Sequence, residues 1–137
     1  MKQKFSTKWK ASKQVRKQRK YLHNLPLHLQ NKTVSAHLSK ELREKHGMRN
    51  ITIKKGDEVK VMRGNFKGRQ GKVTKVEMKN QRVSIDGIQR SKKDGTKVGV
   101  WFHPSALLIK TLNMDDKKRI KTKMEKKTNA PKAKWDA

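Results

Sequence analysis

The sequence predicts a mainly β protein, a small barrel carrying basic extensions at both ends. Three observations point there. Residues 54–79 have the pattern of a hairpin, with Val59 and Val61 alternating with Lys60 and Met62, a glycine-bounded turn at Gly64 to Gly68, and a second arm bearing Val73 and Val76. Residues 51–112 contain five or six short strand-like runs separated by turn signals, the pattern of a small barrel. The 137 residues include 38 Lys and Arg against 11 acids, a net charge of +27, with only 31% hydrophobic residues. That charge opposes compaction and suits a chain that is partly extended or that lies against a polyanion.

Composition also narrows the function. Membrane surfaces and acidic proteins are candidate partners, but the positive charge runs along the whole chain rather than along one amphipathic helix, which favours nucleic acid. No apolar run approaches the ~20 residues that span a bilayer. The N-terminus carries no apolar leader, so a cytoplasmic protein is expected. There is no cysteine, which excludes disulfides and thiolate zinc sites.

Residues 1–24 form a basic arm with nine cations and no acid. Without apolar periodicity, this arm is expected to be disordered when free in water. Phe5, Trp9 and Tyr21 lie among the charges, a mixture suited to threading RNA by neutralising phosphates and stacking on unpaired bases. A solvated or localisation-type tail is the plainer alternative.

Residues 25–50 are expected to form a short helical segment. Pro26 belongs in the first turn of a helix over Leu27 to Asn31. Ser39 is a good N-cap for a helix over Lys40 to His46 that stops at Gly47, with Glu41 and Lys45 as a supporting pair. Leu38 and Leu42 share a face that would dock on the barrel. His23, His28, His37 and His46 are spaced five, nine and nine residues apart, which fits no compact metal site.

Within the barrel, strands are expected over residues 82–86, 88–91, 97–102 and 106–112, with turns at Asp94-Gly95 and His103-Pro104-Ser105. The expected core is Val59, Val61, Val73, Val76, Val83, Ile85, Ile88, Val100, Leu107 and Ile109. Gly64 and Gly68 are assigned positive φ in the hairpin loop, and Gly71 a bulge or sharp bend. Residues 113–137 are expected to be a basic helix and tail, with Asn113 or Asp115 capping a helix over residues 116–127, Ile120 and Met124 anchoring it, and Trp135 as a stacking group or a residue without a role.

Catalytic chemistry is not legible. Ser105 and His103 lack an orienting acid, Gly64 to Gly68 lacks the Gly-Lys-Ser/Thr ending of a phosphate-binding loop, and Asp57 and Glu58 point to opposite faces of a strand. No enzyme activity, cofactor, metal or small-molecule substrate is expected.

Two resemblances sharpen the functional reading. The run Gly56-Asp57-x-Val59-x-Val61-x-x-Gly64-x-x-Lys67-Gly68-x-x-Gly71-x-Val73 resembles the KOW motif of several ribosomal proteins and transcription elongation factors. The wider arrangement is similar to large-subunit ribosomal protein twenty-four, called twenty-six in eukaryotes, over roughly residues 15–120. It comprises the basic arm, Leu38-Ser39-Lys40-Glu41-Leu42-Arg43, Lys55-Gly56-Asp57, Asp94-Gly95-Thr96 and His103-Pro104-Ser105. That resemblance implies an SH3-like barrel that binds the 5′ region of large-subunit ribosomal RNA, supports early assembly and sits by the polypeptide exit tunnel among other ribosomal proteins. It implies an RNA-facing loop at Arg63, Asn65, Lys67 and Arg69, and arm contacts from Lys8, Trp9, Lys10, Arg16, Arg19 and Lys20. Phe66 would be a plug for the loop or a stacking platform, and His103 an RNA contact or a strand-end hydrogen bond. A KOW elongation factor binding RNA polymerase is the alternative, although such factors usually carry a further N-terminal α/β domain. A DNA-compacting basic protein is a third reading.

Overall fold

The structure is a computed structural model that describes residues 3–116 together with Arg119 and Ile120. The arm is not extended. A 3-10 turn over Thr7–Ala11 leads into helix α1, Val15–His23, where long straight-chain residues (Arg, Lys, Gln) favour the helical state. The Gln18 side-chain amide ties the two together, donating to the carbonyls of Lys10 at 3.0 Å and Ser12 at 2.6 Å. The expectation of disorder is thus corrected by local hydrogen bonding that apolar periodicity does not report.

Helix α2, Leu27–Thr33, starts one residue after Pro26, whose carbonyl accepts from the amides of Leu29 and Gln30, both at 2.9 Å. Strand β1, Ser35–Leu38, follows where only helix was expected. Its Ala36 and Leu38 are buried while Ser35 and His37 are half-buried, and Leu38 therefore docks from a strand, not a helix. Helix α3, Lys40–His46, has the expected ends. The Ser39 hydroxyl accepts from the Leu42 amide at 3.4 Å, and Gly47 stops the helix in the left-handed region at φ 59°. Glu41 and Lys45 do not form an ion pair among the described residues.

The remaining strands are β2, Asn50–Thr52; β3, Glu58–Val61; β4, Gln70–Glu77; β5, Arg82–Ser91; β6, Lys97–Phe102; and β7, Leu107–Thr111. A 3-10 turn over Pro104–Ala106 separates the last two. The sheet order is β2-β1-β7-β3-β4-β5-β6, antiparallel except for β1 beside β7. The N-terminal part of β4 pairs with β3, and its C-terminal part pairs with β5. One strand thereby serves both halves of a bent sheet, the corner device of a small barrel. The fold is mainly β, as the sequence predicts, but the barrel recruits residues 35–38 and 50–52, which widens the boundary set at residue 51.

The core contains eight of the ten expected residues, while Val76 and Val100 only flank it half-buried. It adds Val34, Ala36, Leu38, Met48, Ile51, Ile53, Phe102 and Ile120. Full burial of a side chain such as Leu38 contributes about 1.5–3 kcal/mol, so the omitted strand is a substantial part of the stability.

Gly71 does not sit at a bulge, but it lies two residues before β4 passes from β3 to β5, beside the bend of the sheet. The register shift in β4 lies between Val73 and Lys75, and Gly71 pairs squarely with Val59. What Gly71 allows is close approach, since a Cβ there would stand 2.5 Å from the Asp86 carbonyl oxygen and 2.8 Å from Ile85 Cγ2.

Asp57 is fully buried just ahead of β3, and its partner is Arg119. Beyond Asn113, whose side-chain oxygen accepts from the Asp115 amide at 3.0 Å, most of the expected helix over residues 116–127, with Met124, and Trp135 beyond it lie outside the described residues. Ile120 is buried in the core, as expected of an anchor. Among the described residues no helix is long and apolar enough to cross a membrane.

Candidate nucleic-acid interface

The β3–β4 loop, residues 62–69, is an ordered turn. Gly64 and Gly68 adopt φ of 85° and 90° in open space, as expected of the two glycines. The Lys67 amide donates to the Gly64 carbonyl at 3.0 Å, and the Gly68 amide to the Val61 carbonyl at 2.9 Å. Asn65, Lys67 and Arg69 are exposed, and none of the loop cations is paired with a carboxylate among the described residues. The Arg63 guanidinium donates to the Ser105 carbonyl at 2.8 Å, fastening the loop to the turn that carries His103.

Phe66 is half-buried. Its ring meets Phe102 edge-on, with centroids 5.9 Å apart and planes at 88°, and the Arg69 guanidinium lies 5.2 Å above it. The packing makes Phe66 a plug between loop and core, and a base could stack there only by displacing Arg69.

His103 is engaged locally. Its Nδ1 lies 2.9 Å from the Ser105 hydroxyl and accepts from the Ser105 amide at 3.3 Å. This is the strand-end hydrogen bond weighed from the sequence, and among the described residues no carboxylate orients the ring. Among the described residues no three His, Cys, Asp or Glu side chains gather as metal ligands.

In the arm, Lys8, Lys10, Arg16, Arg19 and Lys20 are exposed. The aromatic groups are engaged within the arm itself. Phe5 and Tyr21 stack with centroids 5.4 Å apart, and the Lys20 ammonium sits 4.9 Å over Trp9 while donating to the Gln3 carbonyl at 2.8 Å. The structure thus brings the loop cations and His103 to one end of the barrel and leaves the arm cations on the 3-10 turn and on α1, which pack chiefly on each other.

A second basic projection was not singled out from the sequence. The β5–β6 hairpin exposes Arg90, Lys92, Lys93 and Lys97 around a turn held by Asp94, whose carboxylate accepts from the Thr96 hydroxyl at 2.7 Å and amide at 3.0 Å. These bonds, the hydroxyl first, hold the Asp94 carboxyl below its ordinary pKa. The run Ser91-Lys92-Lys93-Asp94-Gly95-Thr96-Lys97 carries the signal, because lysines flank a turn dipeptide between two strands.

A bent β sheet built around a glycine-rich basic hairpin is the architecture of a small SH3-like KOW domain. The family model for ribosomal protein L26 of eukaryotes and its archaeal counterpart, ribosomal protein twenty-four, matches residues 12–127. The chain belongs to that family and is a ribosomal protein of the large subunit, acting in translation as a structural constituent of the ribosome.

Proposed function

We propose that this protein binds large-subunit ribosomal RNA directly, in its 5′ region, where it supports early subunit assembly beside the polypeptide exit tunnel and among neighbouring ribosomal proteins. The observation that carries the reading is the set of exposed cations on an ordered loop, none of them in an ion pair among the described residues. Lys67 and Arg69, with Asn65 between glycine-defined turns and Arg63 fastening the base, form a fixed platform for phosphates. The arm adds Lys8, Lys10, Arg16, Arg19 and Lys20, with Trp9 beneath Lys20, as a second run of contacts. Such contacts position a protein on RNA without reading its sequence. The family match extends over residues 12–127, far beyond the hairpin on which the elongation-factor alternative rests.

Chemical footprinting of deproteinised large-subunit RNA with the full chain tests this. Protection is expected within the 5′ region. Protection confined to other regions, or none at salt concentrations that preserve ribosomes, would overturn it.

A further inference from the structure

The KOW loop and the β5–β6 hairpin meet across an open cleft of about 300 Å³, lined by Arg69, Gly87, Gln89, Ser91 and Lys97. The register explains the lining. Gly87, Gln89 and Ser91 alternate onto one face of β5, and Lys97 is the cross-strand partner of Ser91, so its side chain projects from the same face. Gly99 stands opposite Gln89 and puts no side chain into the space, and Gly87 has nothing within 4 Å of where its Cβ would be. Arg69 enters from the loop, its guanidinium seated on Phe66. No carboxylate lines the cleft, and neither Arg69 nor Lys97 is in an ion pair among the described residues. Two cationic residues, a serine and a glutamine therefore line an open, polar hollow, on a hairpin whose tip is held by the bonds of Asp94 to Thr96.

We propose that this cleft holds a backbone phosphate of the ribosomal RNA, gripped by the Arg69 guanidinium and the Lys97 ammonium, with the Ser91 hydroxyl and Gln89 amide as neutral donors. It rests on the RNA-binding reading above and extends the interface from the loop to a second hairpin. The Arg fork suits a phosphate's paired oxygens, and the Lys supplies a second positive charge beside it.

The test uses the full-length protein and deproteinised large-subunit RNA, with affinity measured across a salt series. Arg69→Gln and Lys97→Gln are each expected to weaken binding about tenfold, the loss of one charge-assisted contact, and to reduce the slope of log affinity against log salt by about one. Because both act on one phosphate, the double variant is expected to lose less than the product of the two single losses. Lys97→Arg, which keeps the charge, is expected to retain binding. Lys45→Gln, on exposed α3, is expected to leave affinity near wild type and to combine with Arg69→Gln multiplicatively. If Arg69→Gln and Lys97→Gln leave affinity and slope unchanged, or combine as independent sites, the cleft proposal falls while the RNA-binding reading stands. If the wild-type protein binds with a flat salt response, that reading falls and the cleft with it. Adenosine monophosphate in place of RNA separates the two phosphate sources. No saturable binding is expected, and saturable binding abolished by Arg69→Gln would overturn the proposal in favour of a free-nucleotide pocket.

Discussion

Asp57 and Arg119 lie 62 positions apart in sequence, yet the two terminal guanidinium nitrogens donate to the two oxygens of the fully buried carboxylate, at 2.6 and 2.5 Å. The same carboxylate accepts the amides of Lys54 at 2.8 Å and Asn113 at 2.9 Å, and Arg119 donates onward to the carbonyls of Thr52 and Asn113. The Asp of the KOW hairpin is therefore a structural hub that binds the start of β3 to the segment after β7. Lys54 and Asp116 pair alongside it.

Breaking that pair from one side leaves an uncompensated buried charge. Arg119→Met is expected to destabilise the fold by about 3–5 kcal/mol. Adding Asp57→Asn removes the stranded charge and keeps an acceptor for one of the two amides, which bond to different carboxylate oxygens, so the double variant should be more stable than Arg119→Met alone. Urea denaturation midpoints check the order, and a double variant weaker than the single one would contradict it.

Gly71 and Gly64 should respond differently to side chains. Gly71→Val forces a Cβ against the Asp86 carbonyl and should destabilise by about 3 kcal/mol, near the upper end of overpacking costs. Gly64→Ala has open space and meets only the strain of its positive φ, about 1 kcal/mol. Thermal unfolding of both variants measures the gap, and equal effects would refute the close-approach role of Gly71.

Removal of residues 1–24 should leave the barrel folded, because α1 packs on its own 3-10 turn and Leu25, the first buried core-side residue, is retained. The truncated protein is expected to keep its cooperative unfolding transition but bind RNA more weakly and with a shallower salt slope. Unchanged affinity would mean that the arm makes no phosphate contacts.

The turn at Asp94 has a pH signature. Its carboxyl pKa is lowered in the folded state, so the turn's stabilisation is present at neutral pH and is lost as pH falls through that lowered value. The Thr96 amide resonance should therefore titrate at a lower pH than an unperturbed aspartate would impose. In Asp94→Asn that acid transition should vanish.

Much of this was legible because it is local. Ser39 and Gly47 bound α3, Gly64 and Gly68 shape the loop, and the valines of β3 and β4 declare their period within a few residues. What escaped depends on distant partners. Strand β1 is four residues long with two polar positions, and its pairing with β7 lies some seventy residues away, as in His37 with Leu108. Asp57 reads as a residue at the opening of a strand, and only Arg119, 62 positions on, explains its full burial. In the arm, Gln18 and the Phe5–Tyr21 stack order a segment that charge alone predicts to be loose. Of the cations proposed to face RNA, those of the β3–β4 loop rest on the family resemblance, whereas Lys97 joins them only through the register of β5 and β6.

Strand β7 sits between β1 and β3, although it is the last of the seven to be synthesised. During vectorial synthesis the N-terminal pair β1–β2 and the hairpin β3–β4 emerge as two fragments with no hydrogen-bonded neighbour joining them. A nascent chain can zip its sheet together only when residues 107–111 arrive, and it then needs Arg119 to neutralise Asp57. Partly made copies are thus left with open strand edges, which makes the interval before completion the period of greatest exposure to aggregation.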